Sequence, residues 1–108
     1  MYTAKAWSDY GATFISDTVK ELFGYEPEQF IEDSGFWLDH VHPDDQAHVL
    51  AEIRKIYKKK FHTYEYRFRC KNGTYILIQD HMKLVYDDQG KPYEIIGYLI
   101  DITGEKKE

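Results

Sequence analysis

The chain is predicted to adopt an α+β fold, an antiparallel sheet with helices packed on one of its faces. Three observations carry that reading. Period-two alternation of apolar and polar residues is gathered at the two ends of the sequence. The middle carries helical spacing broken by Gly and Pro. The last third reads as three strands joined by two turns, a meander. Strands at both ends with helices between them argue against a parallel α/β sheet.

In chain order, residues 2–7 and 11–16 predict two short strands around a turn at Ser8-Asp9-Tyr10-Gly11. Period then changes. Ser16 or Asp17 is suited to cap a helix whose Val19, Leu22 and Phe23 share a face, and Gly24 is suited to stop it. A second short helix begins near Pro27, with acids at its positive end. Residues 32–35 predict a loop. Phe36, Trp37, Leu38 and Val41 form an apolar knot of about one helical turn. His42-Pro43-Asp44-Asp45 then opens the longest predicted helix, residues 43–59. Its Val49, Ile53 and Ile56, with Leu50 and Tyr57, make the stripe of a helix lying on a sheet.

Residues 63–70 form the first meander strand, with Tyr64, Tyr66, Phe68 and Cys70 alternating against Glu65, Arg67 and Arg69. Asn72-Gly73 signals a tight primed turn, because such turns need positive φ. Strands over residues 74–86 and 93–102 follow, separated by the turn Asp87-Asp88-Gln89-Gly90-Lys91-Pro92. The first two strands can join these three in one sheet, which the helices close over.

At 108 residues the chain is one domain with one core. Its net charge of −5 is offset by no basic stripe, since Lys58, Lys59 and Lys60 suit a helix C-terminus. Nucleic acid is therefore not an expected partner. No apolar run approaches a membrane span and no signal peptide is visible, so no membrane partner is expected. A single cysteine excludes an internal disulfide and fits a reducing cytoplasm.

Several pieces, in this order and spacing, resemble a PAS domain across nearly the whole chain. They are FISDTVKELFGYEPEQFI, FWLDHVHPDD, YRFRCKNGTYILI, YDDQGKP and IIGYLIDITGEKK. The resemblance is to the sensory module of bacterial histidine kinases and cyclic-dinucleotide enzymes. It implies a five-stranded antiparallel sheet, a pocket between its concave face and the helices, and a C-terminal effector domain. Residues 1–108 would be a single sensory domain, and residues 101–108 the start of a signalling linker, with Asp101, Ile102 and Thr103 as the output segment.

The expected pocket lies on the inner face. Alternation turns Tyr64, Tyr66 and Phe68 inward, with Ile76, Ile78, Asp80 and Met82 opposite them. Ile95, Gly97 and Leu99 face in from the third meander strand, and Gly97 leaves room for something to approach the backbone. Phe14, Leu22, Phe30, Trp37, Leu50 and Ile53 would line the helical side. The same residues also suit an ordinary packed core. Asp80 is the one carboxylate expected inside, where it needs a tyrosine hydroxyl, a histidine, a water or a ligand.

Cofactor expectations follow from the resemblance. Light-sensing relatives place a flavin-reactive cysteine in the segment before the long helix. Residues 32–38 hold no cysteine and Cys70 ends a strand, so that photochemistry is not expected. Haem sensors use a histidine on or near the long helix, where His40, His42 and His48 lie, so a haem-binding receptor is the alternative reading. The spacing of these histidines with Asp39, Asp44 and Asp45 does not predict a metal site. A small enzyme using Asp80 as acid or base is a third reading. No activated nucleophile, phosphate loop or carboxylate pair supports it, so the chain is read as no enzyme.

The outer sheet face is expected to be apolar as well, through Leu77, Ile96, Tyr98 and Ile100. A homodimer contact would cover it. The competing cover is residues 2–7 folded over that face. The functional expectation is a cytoplasmic sensor or interaction module that binds a small ligand or partner and regulates a C-terminal kinase or cyclic-dinucleotide enzyme.

Overall fold

In the computed structural model, residues 1–6 and 10–106 are described. Among the described residues, five strands lie toward the two ends of the chain and five short α-helices lie between them, as the sequence distribution implies. The strands are β1 (Tyr2–Lys5), β2 (Ala12–Ile15), β3 (Phe61–Arg69), β4 (Tyr75–Tyr86) and β5 (Pro92–Asp101). The helices are α1 (Thr18–Phe23), α2 (Pro27–Glu32), α3 (Phe36–His40), α4 (Gln46–Arg54) and α5 (Ile56–Lys59). The strands make one antiparallel sheet in the order β2-β1-β5-β4-β3. The first strand therefore lies inside the sheet, between β2 and β5. It does not fold over the outer face. The predicted turn at Ser8-Asp9-Tyr10-Gly11, like Trp7, Lys107 and Glu108, falls at least partly outside the described residues.

The meander register keeps the expected inner residues in phase. Tyr64, Tyr66 and Phe68 pair with Asp80, Ile78 and Ile76, and Leu99, Gly97 and Ile95 pair with Asp80, Met82 and Leu84. Both connections use one turn design. The N–H of Gly73 donates to the Cys70 carbonyl at 2.9 Å, and the N–H of Gly90 to the Asp87 carbonyl at 3.0 Å. Gly73 and Gly90 carry φ of 91° and 78°. Asn72 does not have positive φ, so the first connection is not the primed turn that Asn-Gly predicted. A type I turn with a left-handed glycine after it makes the same reversal with one more residue.

Local signals set the bounds of the first helices. Gly24 ends α1 at φ 89°, and a Glu26–Gln29 capping box opens α2 behind Pro27. The predicted helix over residues 43–59 is interrupted. Pro43–Asp45 is a 3-10 turn, and α4 and α5 meet at Lys55. Val49, Ile53 and Ile56 are nonetheless buried as one stripe against the sheet. The core between the two layers is rich in rings, among them Phe23, Phe30 and Phe68.

β2 departs from plain alternation. Tyr2 pairs with Ile15 and Thr3 with Phe14, but Ala4 pairs with Ala12. Thr13 is the extra residue of a bulge. Ala12 and Ile15 consequently face the core, and Phe14 turns to solvent at 48% exposure.

Candidate functional site

Between the inner sheet face and the helices lies a cavity of about 50 Å³. Its floor is made by Tyr2 and Ala4 of β1, Ala12 and Ile15 of β2, Tyr64 of β3, Asp80 and Met82 of β4, and Ile95 and Leu99 of β5. Phe30, Trp37 and Ile53 roof it, and Tyr10 borders it. The walls are hydrocarbon and ring carbon with one enclosed carboxylate. On the scale where a water needs on the order of 10–15 Å³, the space holds about three to five non-hydrogen atoms.

Asp80 is 2% exposed and heads a hydrogen-bond network. The Tyr2 hydroxyl donates to Oδ1 at 2.7 Å and the Tyr66 hydroxyl to Oδ2 at 3.1 Å. The Tyr64 hydroxyl also favours the charged carboxylate. The Trp37 indole N–H donates to the Tyr66 oxygen at 3.0 Å, tying α3 to the same group. Tyr2 is only half-buried as a residue, yet its hydroxyl end is enclosed. Burial pushes the Asp80 carboxyl up to about 6, against the pull of the three hydroxyls, which favour its charged form. Burial first, and then the Asp80 charge, push the Tyr2, Tyr64 and Tyr66 hydroxyls well above the usual phenol range.

Gly97 lies directly under this network. A Cβ built there would sit 2.6 Å from the Tyr2 ring and its hydroxyl oxygen. The group that approaches the sheet backbone at Gly97 is thus Tyr2 of the neighbouring strand.

Of the residues expected to line the pocket, Phe30, Trp37, Ile53, Tyr64, Asp80, Met82, Ile95 and Leu99 do so. Tyr66 stands behind Asp80, and Gly97 beneath Tyr2. Phe68 and Ile78 are fully buried, but in packed core away from the cavity. Four more of the expected residues lie elsewhere. Phe14 is turned outward by the β2 bulge. Leu22 and Ile76 line a surface groove beside Cys70 and Lys71, because β4 carries Ile76 to the far end of the sheet. Leu50, on the flank of α4, is partly buried against the core without reaching the cavity. Missed were Tyr2, Ala4, Tyr10, Ala12 and Ile15, all from the first two strands and their connection.

The donors do not fit haem. Among the described residues no histidine lines the cavity. His40 Nδ1 is 2.7 Å from the Phe36 carbonyl oxygen, His42 Nδ1 accepts the Asp44 N–H, and His48 is exposed. The free volume is also far below the roughly 300–1,000 Å³ of a drug-sized site. Cys70 sits at the opposite end of the sheet, its thiol directed to the Leu22 carbonyl.

On the outer sheet face, Tyr98 and Ile100 are exposed at 51% and 38%, with Leu77 and Ile96 half-buried beside them. Tyr98 stacks on His81 with ring centroids 4.6 Å apart. At the end of β5, the Ile102 N–H donates to the Leu77 carbonyl at 3.0 Å, and the Leu77 N–H donates to Thr103 Oγ1 at 2.9 Å. Asp101 Oδ1 accepts from the Thr103 N–H and hydroxyl.

Comparison with known proteins agrees with this geometry. The profile of the PAS fold family matches residues 12–99. The chain is 31% identical over 96 residues to the methyl sulfide methyltransferase-associated sensor of Methanosarcina acetivorans, covering 87% of this chain and 10% of that protein. The chain thus spans about a tenth of that relative. The N-terminal domain of a diguanylate cyclase with PAS/PAC sensor from Marinobacter aquaeolei superposes with a TM-score of 0.82 at 27% identity, covering 98% of this chain and 96% of that one. A sensory box histidine kinase/response regulator from Burkholderia thailandensis gives 0.74 at 27% identity, covering 97% and 77%. With sheet order, helical roof and family profile in agreement, this chain belongs to the PAS fold family, in the form found in bacterial histidine kinases and diguanylate cyclases.

Proposed function

We propose that the chain is a signal-transduction sensor that binds a small ligand or a partner, regulates a C-terminal kinase or cyclic-dinucleotide enzyme, and performs no chemistry itself. One observation supports this above the others: β5 serves two sites. Its Ile95 and Leu99 wall the cavity, and its end continues into Asp101, Ile102 and Thr103, clasped to β4 at Leu77. A ligand that favours one setting of β5 would pass that preference to the output segment, provided it binds the two settings unequally. In this reading residues 1–108 form one sensory domain, with residues 101–108 opening the linker. Leu77, Ile96, Tyr98 and Ile100 form a homodimer contact, and the setting is cytoplasmic.

Native mass spectrometry of the purified chain tests the ligand. A retained mass released on unfolding supports the reading. Amide NMR follows the coupling: release of that mass shifts the Asp101 and Thr103 signals. A bare mass, with those signals fixed under every added fraction, overturns it. A visible spectrum addresses the haem alternative, and a flat trace is expected.

A further inference from the structure

The geometry points to a small monocationic amine with a short apolar body as the ligand of this cavity, its ammonium donating to Asp80. The inference rests on the sensory reading above and names the chemistry of its ligand.

Three features of the cavity select that class. The first is charge. Asp80 is enclosed, and among the described residues the ion pairs of the fold lie elsewhere, none of them on Asp80. Its bonded neighbours, Tyr2 and Tyr66, are neutral hydroxyls. A buried carboxylate without a cation is costly, and an ammonium that meets it gains a charge-assisted bond. The second is valence. An ionised carboxylate offers about four acceptor sites, and the Tyr2 and Tyr66 hydroxyls use two. Acceptor capacity therefore remains on a carboxylate that lines the cavity. It can only accept, so the ligand must donate. The third is size and lining. Room for about three to five non-hydrogen atoms admits a short alkylamine and excludes an amino sugar or a polyamine. Ala4, Ala12, Ile15, Ile95 and Leu99 present only hydrocarbon to its body. An anionic ligand would face Asp80 directly.

Groups packed around Asp80 leave it as the titrating partner. β1 supplies Tyr2 and β3 supplies Tyr64 and Tyr66, all pushed upward as phenols. α3 reaches it only through the Trp37–Tyr66 bond, β5 sets Leu99 opposite it, and α4 sets Ile53 on the cavity. His62 stacks on Tyr64 but is bonded to Glu52.

Propylammonium chloride and 1-propanol, titrated into the chain by amide NMR at matched ionic strength, test the proposal. The expected result is at least about tenfold tighter binding of the amine near pH 7.5, an advantage that shrinks about tenfold near pH 5 as Asp80 takes up a proton. Asp80→Asn erases the preference. Ala12→Leu, which fills the cavity and leaves the carboxylate network in place, weakens both probes. Equal binding of amine and alcohol, or an amine preference that survives in a folded Asp80→Asn, overturns the proposal. Should neither probe bind while native mass spectrometry finds a retained neutral or anionic molecule, the amine is wrong and the sensory reading stands. Should nothing bind and no mass be retained, both fall.

Discussion

Asp80 sets the pH behaviour expected of this fold. Its folded-state pKa is raised from the usual 3.8 to about 6. A raised value means that the folded state favours the proton. The contribution is therefore fully present below about pH 4 and is lost as pH rises through about 6. The whole shift corresponds to about 3 kcal/mol, of which about 1 kcal/mol falls between pH 5 and pH 7.5. Urea unfolding is expected to show wild-type stability declining by that amount over this interval, and Asp80→Asn flattening the decline. A slope unchanged by the substitution would assign the titration elsewhere. Gly97 is the second decisive residue. Gly97→Ala drives a methyl into the Tyr2 ring and breaks its bond to Asp80. The expected cost is about 2–4 kcal/mol, from overpacking plus a lost charged hydrogen bond. In a Tyr2→Ala background the same substitution is expected to cost less than about 1 kcal/mol, and a double-mutant cycle measures the difference.

Among the elements, β3 illustrates how an edge strand is held. Arg67 donates its backbone N–H to Asp45 Oδ2 at 2.9 Å, and its guanidinium adds bonds of 3.0 and 2.7 Å to the same carboxylate. The turn before α4 thus occupies a donor that the sheet leaves free. The Arg67 hydrogen bonds hold Asp45 down at about 2. This sign is opposite to that of Asp80: the stabilisation is present above about pH 4 and lost as pH falls through about 2. Asp45→Ala is expected to lower Tm by about 5 °C at neutral pH, with the gap closing near pH 2, as calorimetry would show.

What the sequence made legible at the element scale follows from the range of each interaction. β3 and β4 are joined by a short turn, so local alternation fixed their faces and put Asp80 inside with Tyr64 and Tyr66. β2 failed the same logic because a bulge carries no signal in ATFI, and one extra residue at Thr13 exchanged Phe14 for Ile15. Tyr2 was missed for a different reason. Its place beneath the cavity depends on pairing with a strand some ninety residues away, and nothing within Tyr2-Thr3-Ala4-Lys5 announces that partner. The interruption at Lys55 was also hidden, since Val49, Ile53 and Ile56 keep one stripe through it.

For the molecule as a whole, the two sheet faces divide the labour. The inner face is roofed by helices around the cavity, and the outer face shows Tyr98 and Ile100 to solvent. PAS domains commonly dimerise and join effectors, and the proposed dimer would use that outer face. Ile96→Glu with Tyr98→Glu is expected to shift the chain from dimer to monomer in sedimentation velocity, leaving its unfolding free energy within about 1 kcal/mol of wild type. A wild-type chain that sediments as a monomer at every concentration would refute the contact.

The pairing of β1 with β5 carries a further consequence, for how the protein is made. Of the five strands, the earliest to leave the ribosome can pair on one side with β2 at once, but its other side waits for the latest. Until residues near 101 have emerged, Tyr2 has no Gly97 to lie across and Asp80 lacks one of its hydroxyls. Nascent PAS chains of this kind therefore hold their N-terminal ribbon in waiting, and the sheet closes only after translation has passed its last strand.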